Sequence, residues 1–547
     1  MDLAIALDSH LPQPLHQQIY EELRRAILTG RLLPRQKIPS TRSLAKSLGI
    51  SRTTVTQSYE QLLSEGYLQT IIGSGTYICA QLPDDLLHSV PVITDDKQNA
   101  SPIQLSQQGT RLTKTLFSLQ TEVNTAISFR YGRPALKDFP RKLWSKLLSR
   151  HCKADLDWLD YATDFQGYLP LRQAIAHYLA RARAIKCDRE QIIITNGTQQ
   201  ALDLVMRLLV DPGDSIAMED PGYLSARRVF LSHGVNLLPV PIDDSGLMVE
   251  KLANSDGERI RMVYVTPSHQ FPTGSTLSLP RRLELLLWAQ QHDALILEDD
   301  YDSEYRYGDR PIPALQGLDQ SNCVIYIGTF SKVLFPSLRI GYLVVPPHLV
   351  SLFAQVKWLS DRQLPTLEQK VLAEFIADGY LESHIRKMRS LYDQRRQVLV
   401  QALNTHFGEQ VTIFGENAGI HIMVKFDTHL SDETIIERAE TVGVGLMSAR
   451  SSYLNSWSHK EEKGQGAGGK GEDRDGAWTL PRISVLEGRG LYPCSAPLHP
   501  EGKGLFPPLP ATFPPASSGQ GEFILGYAEL DEMQIQEGIS RLVEVFK

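Results

Sequence analysis

From about residue 126 onward, short apolar runs recur at intervals: "QIIITNG", "SIAMED", "RMVYVTP", "ALILEDD" and "CVIYIGTF". Each is followed by an amphipathic helical stretch or a turn. No other property of the chain restricts its fold so sharply. Strand-length apolar runs alternating with helices predict an α/β domain, a parallel or mostly parallel sheet covered by helices. In such sheets ligands are held at the carboxyl ends of the strands, so the residues just beyond each run are the first candidates for function.

The chain has 547 residues, more than one ordinary domain, and three textures divide it. Residues 1–79 are short helical patterns ending in a Gly-containing hairpin. Residues 80–125 are polar with scattered prolines and read as a linker, and residues 126–547 form the alternating domain. Within the last, residues 456–520 ("HKEEKGQGAGGKGEDRDGAW" and the near-repeat "EGRGLYP" and "EGKGLFP") break the pattern. Such a stretch buries too little apolar surface to offset its ordering entropy and is expected as a disordered insertion. The net charge of −7 says nothing for wholesale nucleic-acid binding, so any DNA contact must be local. Five cysteines without a CxxC pair argue against a disulfide framework or a metal site. No apolar run reaches the ~18–20 residues of a membrane span, and no basic leader precedes the first helix. The expectation is a soluble cytoplasmic protein with no membrane partner.

At the N-terminus, "PLHQQIYEELRRAILTG" places Ile19, Leu23, Ile27 and Leu28 on one helical face, and Gly30 ends the helix. In "IPSTRSLAKSLGISRTTVTQSYEQLLSEGYL", Ser40 and Ser51 are N-caps of two helices joined at Gly49. Val55, Ser58, Tyr59 and Leu62 share a face of the second, leaving Arg52, Thr53, Thr54 and Gln57 outward. Between Arg31 and Tyr59 the charged residues are Arg31, Arg35, Lys37, Arg42, Lys46 and Arg52, with no acid. Positive charge and small donors at a helix N-terminus suit phosphate and major-groove contacts. "YLQTIIGSGTYICA" then reads as a hairpin bending at Gly73 and Gly75, the wing of a winged helix-turn-helix. Spacing alone also accommodates a small helical oligomerisation module. The stretch resembles the GntR-type winged helix over nearly the whole module. That resemblance implies double-stranded DNA contacts by Arg42, Ser51, Arg52, Thr53, Thr54 and the wing glycine Gly73.

In the large domain, "GTFSKVLFPSLRIGY" sets Lys332 at the end of a strand, among hydroxyl residues. A lysine there can form a Schiff base if it is desolvated or near other cations, and Arg339 offers such a field and a grip on phosphate. A cofactor such as pyridoxal phosphate needs further parts. Asp299 in "ILEDDYDSEYRY" offers a carboxylate for a pyridine nitrogen, with Tyr301 two positions on for the phenolic oxygen. Gly197, Thr198 and Gln199, between a strand and a helix, offer a phosphate cradle. Tyr223 in "EDPGYLSAR" offers a ring to stack, and His269 and Gln270 in "TPSHQFPTG" offer polar side chains.

Together these stretches resemble the fold type I pyridoxal-phosphate enzymes, the aspartate-aminotransferase superfamily. The resemblance implies Lys332 as the cofactor's lysine, Asp299 at the pyridine nitrogen, Tyr301 at the phenolic oxygen and Tyr223 on the ring. It puts Gly197, Thr198, Gln199, Thr329 and Arg339 around the phosphate. Tyr161 matches the tyrosine that reaches a neighbouring subunit's phosphate, which implies a homodimer, in a domain-swapped head-to-tail arrangement. A winged helix followed by a linker and an aminotransferase-like domain resembles the MocR subfamily of GntR regulators. The implied function is a transcriptional regulator that binds pyridoxal phosphate and a small-molecule amino effector. An active aminotransferase carrying a DNA-binding head is the alternative. Two departures bear on the choice. The C-terminal strand "EFILGY" has no arginine to clamp a substrate carboxylate, leaving Arg450 as the nearest candidate. Ser225 stands where the GABA-responsive relatives have an arginine.

Overall fold

The computed structural model describes residues 7–8, 13–83, 104–115, 125–254, 259–308, 312–454 and 520–547. All of the expected insertion but Gln520 lies outside them, as do residues 84–103 and 116–124 of the expected linker. Two compact units divide at Ile103 and Gln104. No helix among the described residues is long and apolar enough to cross a membrane.

The first unit contains helices α1 (Leu15–Leu28), α2 (Thr41–Leu48) and α3 (Arg52–Ser64), then the hairpin β1 (Leu68–Ile71) and β2 (Gly75–Ile78). Both serine caps form: Ser40 accepts from the Ser43 N–H and Ser51 from the Thr54 N–H. Gly49 takes the left-handed conformation, with φ 67°, that ends α2. The core gathers Ile19, Leu23, Ile27, Val55, Tyr59 and Leu62. Leu28, expected on the buried face of α1, is instead exposed, and Ala26 is buried. Gly30, two residues past the helix, has φ 73°, and the Leu32 N–H returns to the Ala26 carbonyl, so the chain closes over Ala26 rather than Leu28.

The second unit begins before the expected boundary. Ser106, within the stretch expected as a linker, accepts from the Gly109 N–H at the start of a helix at Gln107–Thr115. That helix packs against the helix Leu224–His233. It is short and polar, so packing rather than its own periodicity maintains it.

After β3 (Ile127–Ser128) come β4 (Ile192–Thr195), β5 (Ser215–Asp220), β6 (Asn236–Asp243), β7 (Gly246–Leu247), β8 (Ile260–Val265), β9 (Leu295–Asp300), β10 (Val324–Thr329) and β11 (Gly341–Val344). These last eight form one sheet in the order β4-β11-β10-β9-β8-β5-β6-β7. The strands β10, β9, β8, β5 and β6 run parallel, while β11 lies antiparallel between β10 and β4. Helices cover both faces, giving separate buried clusters on either side of the sheet. The strand β6 carries Pro239 and Pro241, which sequence rules disfavour. It is tolerated because over this stretch β6 pairs with β5 alone, and β7 reaches only Ile242 and Asp243.

A smaller antiparallel sheet follows, of β12 (Val411–Phe414), β13 (His421–Asp427), β15 (Met447–Ser448) and β16 (Gln520–Gly526), in the order β12-β13-β16-β15. The helices Tyr380–Phe407, Asp432–Thr441 and Glu532–Val545 supply the rest of its core. Between them β14 (Val444–Gly445) pairs in parallel with β3.

Candidate functional site

In the first unit Arg42, Ser51, Arg52 and Thr53 are exposed at the starts of α2 and α3, Thr54 is half-buried, and Gly73 is exposed at the hairpin bend with φ 77°. Val55, Ser58, Tyr59 and Leu62 turn inward as the spacing requires. The outward face of α3 therefore opens with Arg52 and Thr53, free of the core.

In the second unit the loops leaving β4, β5, β8, β9 and β10 all emerge from one edge of the large sheet. At these strand ends and just beyond them lie Gly197, Tyr223, His269, Asp299 with Tyr301, and Lys332 respectively. Lys332 donates from Nζ to the Gly132 carbonyl at 2.9 Å. Burial pushes its ammonium below the ordinary lysine value, against Asp302 and Asp299, which favour the charge. A lysine so placed carries a larger share of neutral, nucleophilic amine than one in water.

Glu298, Asp299 and Asp300 end β9, and with Asp302 just beyond it they are buried. Glu298 accepts from the Leu315 and Gln316 N–H groups, and Asp300 from Arg183 and Tyr326. Asp299 receives the Tyr264 hydroxyl on Oδ2 at 2.8 Å, while Oδ1 is buried with no hydrogen-bond partner. Burial pushes this carboxyl up to about 7. Asp302 lies 3.0 and 3.1 Å from His269 Nδ1 through its two oxygens. The same nitrogen is 3.1 Å from Tyr301 Oη. Because Asp302 can only accept, Nδ1 carries the proton, and the Tyr301 hydroxyl keeps its own hydrogen to donate elsewhere. Gly419 is required beside this pair. It has φ 78°, and a Cβ there would come within 2.0 Å of His269 Cε1.

At the start of the helix Gly197–Leu209, Arg339 donates from Nη2 to the Asn196 carbonyl at 2.9 Å. A Cβ on Gly197 would stand 2.8 Å from that guanidinium, so glycine leaves the helix N-terminus bare beneath it. Asn196, Gln199 and Arg339 line one cleft. Thr198 is half-buried there, and Thr329 accepts from the Ser331 N–H. Ser331 Oγ is buried with no partner. Bare helix N–H groups, a guanidinium and an unused hydroxyl form a cradle for a phosphate. Tyr223 stands edge-on to Phe271 at 5.4 Å.

Two expected residues have their described contacts elsewhere. Tyr161 is exposed, with Arg362 over its ring at 4.2 Å. Arg450 pairs through Nε with the buried Asp432 Oδ2 at 3.2 Å, and Asp432 is also held by Ser448. Four residues were not picked out from the sequence: Gly132, Tyr264, Asp302 and His421. His421 was open to detection as the one polar side chain in the stretch "AGIHIMV".

Comparison with known proteins agrees with both halves. Residues 155–458 match the family described as aminotransferase class I and II, and residues 15–78 match the bacterial regulatory proteins of the gntR family. The chain is 40% identical over 455 residues to the probable rhizopine catabolism regulatory protein MocR of Rhizobium meliloti, covering 83% of this chain and 90% of that protein. It is 33% identical to the pyridoxine biosynthesis transcriptional regulator PdxR of Corynebacterium glutamicum, covering 78% of this chain and 86% of that one. Among solved structures, the multiple substrate aminotransferase of Thermococcus profundus superposes with TM-score 0.62 at 27% identity, over 81% of this chain and 95% of that one. The α-aminoadipate aminotransferase LysN of Thermus thermophilus, complexed with N-(5'-phosphopyridoxyl)-L-leucine, gives 0.61 at 26% identity, over 81% of this chain and 95% of that one.

Proposed function

The chain belongs to the MocR-type regulators of the GntR family, a winged helix joined to an aminotransferase class I and II domain, and from that premise we propose that it binds pyridoxal phosphate at Lys332 and reports the cofactor's encounter with a small amine to operator DNA. The single observation that carries the cofactor reading is Asp299 Oδ1, a buried carboxylate oxygen without a partner on the same sheet edge as a desolvated lysine. Burying such an oxygen is unfavourable unless a donor arrives, and a protonated ring nitrogen is one. The cofactor supplies an electrophilic carbon and an electron sink.

Each residue then has a task. Lys332 offers the amine that holds the cofactor. Asp299, oriented by Tyr264, keeps the ring nitrogen protonated. Tyr301, held by the His269–Asp302 pair, donates to the phenolic oxygen, and Tyr223 lies against the ring. Gly197, Thr198, Gln199, Thr329 and Arg339 hold the phosphate. On DNA, Arg42, Ser51, Arg52, Thr53, Thr54 and Gly73 make the contacts. Dimerisation is supported by an exposed apolar strip: Leu156, Leu159, Tyr161 and Phe165 run beside Trp358 and Leu359. Tyr161 then reaches the neighbouring subunit's phosphate. Regulation requires that the effector favour one arrangement of the paired heads over another.

The test is the absorption spectrum of the purified protein with and without the Lys332→Ala substitution, followed by operator retardation with and without cofactor. A near-visible band lost in the variant, with operator binding that responds to the cofactor, supports the reading. A protein that takes up no pyridoxal phosphate overturns it. Sustained turnover of an amino donor with release of a keto product would make the domain an enzyme.

A further inference from the structure

The helix Gln107–Thr115 reads "QQGTRLTKT", nine residues of which one is glycine and three are threonine. Such a segment does not hold a helix in water by itself, so its form depends on what it packs against. Gly109 and Arg111 are half-buried, while Leu112, its one apolar side chain, is 45% exposed. A contact this slight opens at small cost, so docked and released forms lie close in free energy.

The helix packs on Leu224–His233. Arg111 lies against the C-terminal end of that helix. A Cβ on Gly234, its left-handed capping residue with φ 82°, would stand 2.9 Å from Arg111 Nε. Glycine leaves the place open, and the guanidinium meets the negative end of the helix dipole. Arg111 Nε is buried with no hydrogen-bond partner, which makes the docking weaker still.

The other end of Leu224–His233 belongs to the candidate site. Tyr223 is its N-cap residue, in a turn gripped by residues 451–454, just beyond β15. The Gly222 N–H donates to the Ser452 carbonyl at 2.9 Å, and the Leu454 N–H to Asp220 Oδ1 at 2.8 Å. Arg227, 1% exposed, donates to the carbonyls of Tyr453 and Ser451. One ten-residue helix, about 15 Å long, therefore meets Tyr223 at its start and Arg111 at its end.

We propose that the helix Gln107–Thr115 is a latch between the cofactor site and the DNA-binding unit. Bound cofactor, by fixing Tyr223, orders Leu224–His233 and lowers the entropy cost of docking Arg111 at its far end. The inference rests on the cofactor reading of Lys332 and Tyr223. With the latch docked, residues 84–103 join it to Pro83, the last described residue of the head. Released, the join runs over residues 84–124. Each residue adds at most ~3.6 Å, so release about doubles the longest reach of a head. Reach decides which head spacings on DNA are accessible.

The experiment is hydrogen exchange on the full-length protein with and without pyridoxal phosphate, for the wild type and for Arg111→Ala. In the wild type the cofactor should slow exchange of residues 107–115 by about tenfold, alongside slowing around Lys332. In Arg111→Ala the slowing around Lys332 and the cofactor's absorption band should remain. Residues 107–115 should then exchange fast with or without cofactor. Slowing around Lys332 with no change at 107–115 in the wild type overturns the proposal, whether or not the variant folds. Cofactor-dependent slowing at 107–115 that survives in a folded Arg111→Ala protein overturns it too. No slowing at either place strikes instead at the cofactor reading, and the proposal falls with it.

Discussion

The hydroxyl of Tyr264 donates to one oxygen of Asp299 at 2.8 Å and leaves the other oxygen, equally buried, with no partner. A carboxylate half satisfied in this way is poised to accept one more donor, and the direction of that donor is set by Tyr264.

A pH dependence follows. Burial raises the carboxyls of Asp299, Glu219, Glu298 and Glu304 to about 7 each. A carboxyl raised by folding holds its proton more tightly in the folded state. The stability it contributes is present below the unfolded value and is lost as pH rises through about 7. The cofactor-free domain should therefore melt at lower temperature at pH 8 than at pH 5. A protonated ring nitrogen relieves the charge on Asp299, so the rise in Tm on adding cofactor should be larger at pH 8. Asp299→Ala should flatten that difference, and calorimetric scans at the two pH values check it.

Arg339 has φ 53°, so Arg339→Gly removes the guanidinium while suiting the backbone. Loss of a charge-assisted phosphate contact should weaken cofactor binding by about 1.5–3 kcal/mol, roughly ten- to a hundredfold. The cofactor-free protein should melt nearly as before, because the side chain is exposed. Equilibrium dialysis against pyridoxal phosphate, beside thermal scans, reads both.

For the DNA head, Arg52→Ala should cost about 1–3 kcal/mol of operator affinity and flatten base preference at one position. A loss equal across all sequences, with the salt slope reduced by about one, would identify a phosphate contact instead. Retardation assays on an operator library at several salt concentrations distinguish them.

Leu359 is 68% exposed at the end of the helix Val350–Asp361, beside the strip that carries Tyr161. Leu359→Asp costs an isolated subunit little but places a charge in the interface a second copy would bury. Sedimentation should show the wild type as a dimer and the variant shifted toward monomer.

Much of this was legible in advance where local chemistry decides. Ser40 and Ser51 announce helix starts, and Val55, Ser58, Tyr59 and Leu62 announce a buried face. The five apolar runs are the five strands β4, β5, β8, β9 and β10, and four of them belong to the sheet's parallel part. What stayed hidden depends on partners far along the chain. Tyr264 looks like one more core residue until the fold sets it against Asp299. His421 has meaning only once β13 pairs with β16 across the segment 427–520. Asp302 follows the strand in a run of acids, yet it is fully buried, against His269 from another loop.

The bond from Lys332 to Gly132 has a mechanical side. Phe129, three residues earlier, accepts from the Gly526 N–H, so this short segment is stitched to the small sheet at one end and to the lysine at the other. An amine committed to covalent work can no longer serve as that stitch in the same way. Chemistry at a single nitrogen would then alter how firmly the two sheets are sewn together, and a seam that loosens on demand is a means by which occupancy becomes shape.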